Sequence, residues 1–261
     1  MDFKPKLVAF DLDGTLAESK QPVTLEMGAL LSTLMSKVKV AILSGASFAQ
    51  FESQVLPSLP EDSHFESLFL FPMNAARCYT YKRGAWRIQY DETLNPIEKE
   101  KIMQAFKEAM GETGFLPESP RPPEWGERIE DRGSQITFSA LGQKAPVEEK
   151  KKWDPSREKR RPLYEALKKR LPNFSIGLNA ATSIDVTHKG INKAYGIRQL
   201  VQLADTTIAE MLYIGDALEE GGNDAIVKET GIKTEEVIGP QDTARLILEI
   251  LEKHDTRTTV A

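Results

Sequence analysis

The stretch Leu7-Val8-Ala9-Phe10-Asp11-Leu12-Asp13-Gly14-Thr15 decides how this chain is read. Four apolar residues lead without interruption into two carboxylates spaced two apart, and Gly14 permits a sharp reversal behind them. Such a run, bounded by turn residues, predicts a buried strand over residues 7–10 that opens into a loop at its carboxyl end. Open α/β sheets bind their ligands at that end. Two acids crowded there repel each other unless a cation offsets the charge, so the spacing suggests a hard metal with oxygen ligands. Asp11 is then placed to attack phosphorus, and Asp13, held less ionised, to protonate the leaving oxygen. An Asx-turn closing a strand is the alternative for the same residues.

Outward from this point, strand and helix patterns alternate. A helix is expected over 24–36, with Thr24 as N-cap and Leu25, Ala29, Leu30 and Leu34 recurring along it. Strands follow at 38–43 and 68–71, with a helix at 47–56 between them. Late in the chain come a helix at 193–203, a strand at 211–214, a helix at 223–230, a strand at 235–238 and a final helix at 241–253. This alternation argues for a Rossmann-like parallel sheet with helices on its faces, an α/β class. The middle breaks the rhythm. A hairpin is expected at 78–90 around Lys82-Arg83-Gly84, a helix at 95–111, and a proline-rich, charged loop at 116–128. Strands at 134–141, 174–178 and 182–186 surround a charged helix at 156–170. The expected domains are a core of residues 1–90 and 187–261 and an inserted α+β unit of residues 91–186. The clusters Lys150-Lys151-Lys152 and 157–161 read as a solvated helix face and turn. The tail beyond His254 is polar and reads as frayed.

Composition narrows the options. The chain has 261 residues, 40% hydrophobic and 28% charged, which suits a soluble globular protein with substantial cores. A formal net charge of -5 gives no general attraction for nucleic acid or an anionic membrane. Neither is expected as a partner. Cys78 is the single cysteine, so an intrachain disulfide and a Cys-rich metal site are excluded. No apolar run has the roughly 20 residues of a membrane span, and the first residues lack a signal-peptide cleavage pattern. The expected location is cytoplasmic, as a monomer or homodimer.

Three further strand ends carry candidate chemistry. Ser44-Gly45 follows the 38–43 strand, where a hydroxyl and exposed amides suit a phosphate oxygen, a strand terminator or helix cap being the alternative; Thr15 is grouped with them as a substrate contact. Lys189-Gly190-Ile191-Asn192-Lys193 precedes the returning helix, and one of its lysines is suited to neutralising a phosphoryl group and the acids. A surface residue is the alternative for either lysine, and Lys193 is favoured because it opens the helix. In Tyr213-Ile214-Gly215-Asp216-Ala217-Leu218-Glu219-Glu220-Gly221-Gly222-Asn223-Asp224, Asp216 is placed to complete a magnesium site with Asp11, and Asp224 to hold metal-bound water. Simple N-capping is the alternative for Asn223 and Asp224.

Asp-x-Asp, Ser, Lys and Gly-Asp…Asn-Asp at four strand ends, in that order, resemble the haloacid dehalogenase superfamily of phosphatases and phosphomutases. The insert between the Ser and Lys motifs resembles the large α/β cap of its type IIB branch. The resemblance implies Asp11 as nucleophile, Asp13 as general acid/base, and Ser44 and Lys193 as phosphate holders. It places Mg2+ between Asp11, the Asp13 carbonyl and Asp216. Within that branch the likeness is to the eukaryotic-type phosphomannomutase family. Phe71-Pro72-Met73-Asn74 resembles its Phe-Pro-Glu-Asn segment, with Met73 in place of the acid, and Gly221-Gly222-Asn223-Asp224 matches its Gly-Gly-Asn-Asp. Arg132-Gly133 resembles its substrate-phosphate arginine, and Ser183-Ile184-Asp185 its substrate-contacting Ser-Phe-Asp.

The chain departs from that family at two further positions, both in the cap. Gln143 and Lys150 stand where two further arginines of the cap would fall. Guanidinium groups grip phosphate bidentately, whereas glutamine is neutral and lysine is a point donor. Losing one charge-assisted contact weakens binding by roughly 1.5–3 kcal/mol. The expectation is therefore a magnesium-dependent phosphatase acting on a small sugar phosphate through an aspartyl-phosphate. A phosphomannomutase or phosphoglucomutase using the same intermediate is the alternative, and a non-catalytic sugar-phosphate sensor represents another class.

Overall fold

The structure, a computed structural model, describes residues 3–19, 21–115, 125–179 and 182–256. These fall into two compact units, one holding the described residues up to Tyr90 and those from Lys193 onward, the other Asp91–Asn192. Residues 116–124 of the expected loop and the last five residues of the tail lie outside the described residues.

The first unit is built on seven strands, β1 (Leu7–Asp11), β2 (Lys39–Leu43), β3 (Leu68–Phe71), β4 (Arg77–Lys82), β5 (Ala85–Asp91), β10 (Met211–Gly215) and β11 (Lys233–Glu236). Their order is β11-β10-β1-β2-β3-β4-β5. The five strands from β11 to β3 run parallel, and β4 pairs antiparallel with β3. Alternation along β1 sends Val8 and Phe10 into one apolar layer and Leu7 and Ala9 into the other. Helices α1 (Leu25–Met35) and α7 (Pro240–Asp255) cover the first layer, and α6 (Lys193–Leu203) the second. Each fully buried leucine or phenylalanine contributes about 1.5–3 kcal/mol, so both faces are firmly closed. This is the mostly parallel α/β sheet expected from the sequence.

Local chemistry sets the element ends. Thr24 accepts the Met27 N–H at 3.2 Å and caps α1. Helix α2 (Phe48–Gln54) starts where the Ser47 N–H donates to the Gln50 side chain at 2.9 Å. Arg83 and Gly84, both at positive φ, close the β4–β5 hairpin. Three expectations need correction. The buried stripe of α1 is Met27, Gly28, Leu31, Leu34 and Met35, while Leu25 is 73% exposed. The edge strand β11 lies two residues earlier than expected. The segment Ala225–Thr230 is a 3-10 helix, not a helix from 223. Met73, Asn74 and Ala75, directly after β3, take left-handed backbone conformations that the sequence did not announce.

The second unit is antiparallel, with β6 (Ile129–Asp131), β7 (Ile136–Ser139), β8 (Phe174–Asn179) and β9 (Ser183–His188) in the order β6-β7-β9-β8. Ile136, Phe138, Ile184 and Val186 point to one face, against Ile102, Phe106, Leu163 and Leu167 of α3 (Pro96–Thr113) and α5 (Arg161–Arg170). Period-two alternation leaves Thr137, Ser139, Ser183 and Asp185 on the other face. Asn95 and Glu98 cap α3 reciprocally, at 3.0 and 2.8 Å.

Three expectations fail in this unit. The three-residue strand β6 falls between the expected loop at 116–128 and the expected strand at 134–141, where no element is expected. Helix α5 begins at Arg161 rather than 156, because Arg160 is drawn inward. The basic clusters are not wholly solvated: Lys150, on α4 (Val147–Trp153), and Arg160 are buried. Arg160 Nε donates to Asp154 Oδ2 at 2.8 Å, and its Nη1 to the carbonyls of Asn179 and Ser183. No helix among the described residues is long and apolar enough to cross a membrane.

Candidate active site

Asp11 ends β1 at the carboxyl edge of the sheet and is nearly buried. Lys193, first residue of α6, reaches it from the neighbouring layer: Nζ lies 2.5 Å from Asp11 Oδ1 and 2.6 Å from Asp224 Oδ1. Tyr213, inside the apolar strand β10, donates its hydroxyl to Asp224 Oδ1 at 2.6 Å. The Ala217 N–H donates to Asp224 Oδ2 at 3.3 Å. Two glycines make this crowding possible. A side chain at Gly14 would collide with the Asp216 carboxylate, and one at Gly215 would lie 2.6 Å from Asp224 Oδ2.

The electrostatics follow from burial. Asp11 is pushed well above the usual carboxylate range by desolvation, with Asp224 and Asp216 adding to the rise and Lys193 opposing it. Desolvation also raises half-buried Asp216, and Asp224 and Asp13 contribute. Burial works to lower Lys193, but Asp11 and Asp224 outweigh it and keep the ammonium charged. Carboxylate oxygens of Asp11, Asp216 and Asp224 lie within 4.8 Å of one another. Three acids against one ammonium leave excess negative charge on an all-oxygen donor set. That arrangement fits a hard divalent cation.

The other expected residues are placed as follows. Asp13 sits in the tight turn after β1, where the Gly14 N–H meets the Ala17 carbonyl at 2.7 Å. Its carboxylate is not a member of the three-acid cluster. Thr15 is buried, and its carbonyl accepts from the Thr243 hydroxyl at 2.7 Å. Its own hydroxyl has no hydrogen-bond partner among the described residues. Ser44 follows Leu43, the β2 partner of Asp11. Its Oγ accepts the Ala46 N–H at 3.1 Å, its N–H donates to the Phe71 carbonyl, and its carbonyl accepts from Asn74. The left-handed turn Met73–Ala75 thus buttresses the loop that contains Gly45.

In the second unit, Arg132 is engaged by Glu130 through both Nε and Nη2, at 2.9 and 2.7 Å. Gln143 spends its amide on the carbonyls of Arg128 and Thr137, at 3.2 Å each. Lys150 Nζ donates to the Gln143 carbonyl at 2.8 Å. Asp185 accepts from Asn179 Nδ2 at 2.7 Å and lies opposite Thr137, as Ser183 lies opposite Ser139. Tyr213 and Arg160 were missed in the sequence. Tyr213 had a readable signal, since a tyrosine in a buried apolar strand must find a partner for its hydroxyl.

Comparison with known proteins gives one direction throughout. The solved structures include an IMP-bound, N-terminally truncated IMP-nucleotidase from Plasmodium falciparum (TM-score 0.71, 15% identity, 95% of this chain and 68% of that one). A haloacid dehalogenase-like hydrolase from Bacteroides thetaiotaomicron matches at TM-score 0.62 and 16% identity, over 95% of this chain and all of that one. At such identity they show the fold alone. In sequence, the phosphomannomutase of Encephalitozoon cuniculi is 29% identical over 252 residues, covering 94% of this chain and 93% of that protein. The Spinacia oleracea phosphomannomutase is 27% identical, covering 96% of this chain and 98% of that protein. The chain is an enzyme of phosphoryl transfer, phosphatase or sugar phosphomutase. The family model described as eukaryotic phosphomannomutase matches residues 27–253, through both units, and the chain belongs to that family.

Proposed function

We propose that this protein is a hexose-phosphate mutase of the phosphomannomutase type, working through an aspartyl-phosphate on Asp11. The observation that carries the reading is the extent of the family match: it runs through Asp91–Asn192 as well as the unit that holds Asp11. The order given by the sequence, phosphatase before mutase, is reversed on that ground.

In this reading an Asp11 carboxylate oxygen attacks the phosphorus of the sugar phosphate. The ester bond breaks, and Asp13 gives its proton to the departing sugar oxygen. The phosphoryl group then passes from Asp11 to the free hydroxyl of a sugar monophosphate, Asp13 takes up the proton that hydroxyl loses, and the bisphosphate so formed turns to return its other phosphoryl group to Asp11. Lys193, fixed between Asp11 and Asp224, offsets charge on the transferring oxygens, as do the Ser44 and Gly45 loop and Thr15. Asp11, Asp216 and the Asp13 carbonyl would hold Mg2+, with Asn223 and Asp224 supporting them, and the ion would supply positive charge against the phosphoryl group. Arg132, Lys150, Ser183 and Asp185 are assigned to recognition of the sugar phosphate, and Gln143 to support of that surface.

One observation favours the phosphatase as a second reading. The Gln143 amide is committed to two backbone carbonyls, and Lys150 holds the Gln143 carbonyl, so neither replaces a forked arginine. One assay separates the two. Mannose 1-phosphate is supplied with magnesium and a hexose bisphosphate activator, and mannose 6-phosphate is scored against free phosphate. Predominant 6-phosphate supports the mutase; predominant free phosphate replaces it with the phosphatase.

A further inference from the structure

Tyr213 stands in the middle of β10, flanked in register by Ala9 on β1 and Thr234 on β11. Its ring belongs to the layer of Leu7, Ala9, Met211, Ile197 and Val227. Phenylalanine would satisfy that packing equally, and a buried hydroxyl without a partner is a liability. The hydroxyl instead ends 2.6 Å from Asp224 Oδ1, the oxygen that also accepts from Lys193 Nζ at 2.6 Å. With the Ala217 N–H on Oδ2, Asp224 receives three donors, two of them on the oxygen nearest the lysine.

This bears on what Asp224 can do. Its carboxylate lies within 4.8 Å of those of Asp11 and Asp216, so by distance alone it could join them as a direct metal ligand. Oδ1 accepts an ammonium and a hydroxyl and Oδ2 the Ala217 N–H, so three of the roughly four lone-pair sites of the carboxylate are already taken. If Asp224 moved to the metal, Lys193 would lose the anchor that aims it at Asp11. Its hydrogen bond to Asp11 would then depend on a long side chain held at one end only.

We propose that Tyr213 is a positioning residue of this site, its buried hydroxyl committing Asp224 to Lys193 rather than to the metal ion. The proposal rests on the reading of Asp11 as the group that receives the phosphoryl. Tyr213 touches neither substrate nor metal in this account. It acts through Asp224, which holds Lys193, which holds Asp11.

The test is Tyr213→Phe in the full chain, which removes one oxygen and keeps the ring. Released from one donor, Asp224 becomes available to the cation while Lys193 loses its aim. The expected result is a split. The kcat for the sugar phosphate falls about tenfold with KM changed less than about twofold, as for a nucleophile held in a poorer geometry. At the same time Mg2+, titrated by calorimetry without substrate, binds about threefold tighter, as for a site that gains an oxygen ligand. A merely structural role would lower the melting temperature and leave the calorimetric affinity unmoved or weaker. Unchanged kcat, or a fall in kcat without tighter Mg2+ binding, overturns the proposal. Should the variant fail to fold, the hydroxyl proton of Tyr213 in the unaltered protein gives a second readout. Its slowly exchanging resonance persists on Mg2+ addition if Asp224 stays with Lys193, and its loss overturns the proposal. Asp11→Asn separates the two levels. If that variant still turns over, the reading of Asp11 fails and the proposal falls with it. If it is inactive while Tyr213→Phe behaves as wild type, only the proposal fails.

Discussion

Lys193 Nζ lies 2.5 Å from Asp11 Oδ1, joining the end of the first strand to a helix that begins 182 residues later. A buried ammonium between two carboxylates is stable only because each charge offsets another, and the surplus negative charge marks where a divalent cation belongs.

That surplus has a pH signature. Asp11 and Asp216 carry folded-state pKa values raised by burial and by neighbouring acids. Groups raised in this way favour the folded state at low pH and lose that contribution as pH climbs through the raised value. A cation needs the deprotonated forms, so it binds better as pH rises. The difference in melting temperature between magnesium-saturated and chelator-treated protein should therefore widen from about pH 5 to about pH 8. At about a hundred times Kd the stabilisation is about 3 kcal/mol. A difference independent of pH would contradict the placement of the cation among these acids.

The Arg160–Asp154 pair is buried within the inserted unit, at 2.8 Å. Removing one partner of such a pair leaves a charge without compensation and destabilises by about 3–5 kcal/mol. Arg160→Ala and Asp154→Ala should each lower stability by that order, and the double variant by much less than their sum. Denaturant unfolding of the three proteins checks the coupling; simple additivity would show that the pair is not energetically joined.

Gly196 sits where α6 meets the sheet. A methyl there would lie 2.7 Å from Leu43 Cδ2 and 2.8 Å from Ala75 Cβ. Alanine is the better helix former, so on propensity alone Gly196→Ala would stabilise. Overpacking opposes this by about 1–3 kcal/mol, and we expect it to win. The melting temperature should fall by several degrees; a rise would show that the helix can shift outward freely.

Cys78 is fully buried on β4, and desolvation pushes its thiol far above the usual range. The thiolate is the reactive form. A thiol reagent at mildly alkaline pH should therefore modify the native protein very slowly and the denatured protein at the rate of a free thiol. Fast native modification would place Cys78 at the surface.

How much was legible in the sequence depended on contrast. The run into Asp11 was readable because apolar residues stop abruptly at charged ones, and α6 because it begins on Lys193. Helix α1 has apolar residues on more than one stripe, so periodicity alone could not show that Met27 and Leu31 face inward while Leu25 does not. Strand β11 is a polar edge strand with one neighbour, where alternation says little about register. Arg160 looked like one more surface cation in a basic cluster. Its burial depends on Asp154 and on carbonyls around 20 residues away, which no local pattern encodes. The same holds for Asp224: its helix-start position was visible, but both donors to its Oδ1, Lys193 and Tyr213, come from separate elements.

The covalent step can be observed directly. Protein incubated with magnesium and a hexose bisphosphate is quenched during turnover, reduced with borohydride and digested, so that an acyl phosphate is converted to an alcohol and mapped by mass spectrometry. Modification should fall on the peptide containing Asp11, at that residue, and vanish in Asp11→Asn. An active protein whose label appears at another residue, or at none, would contradict the assignment of Asp11 as the phosphoryl acceptor.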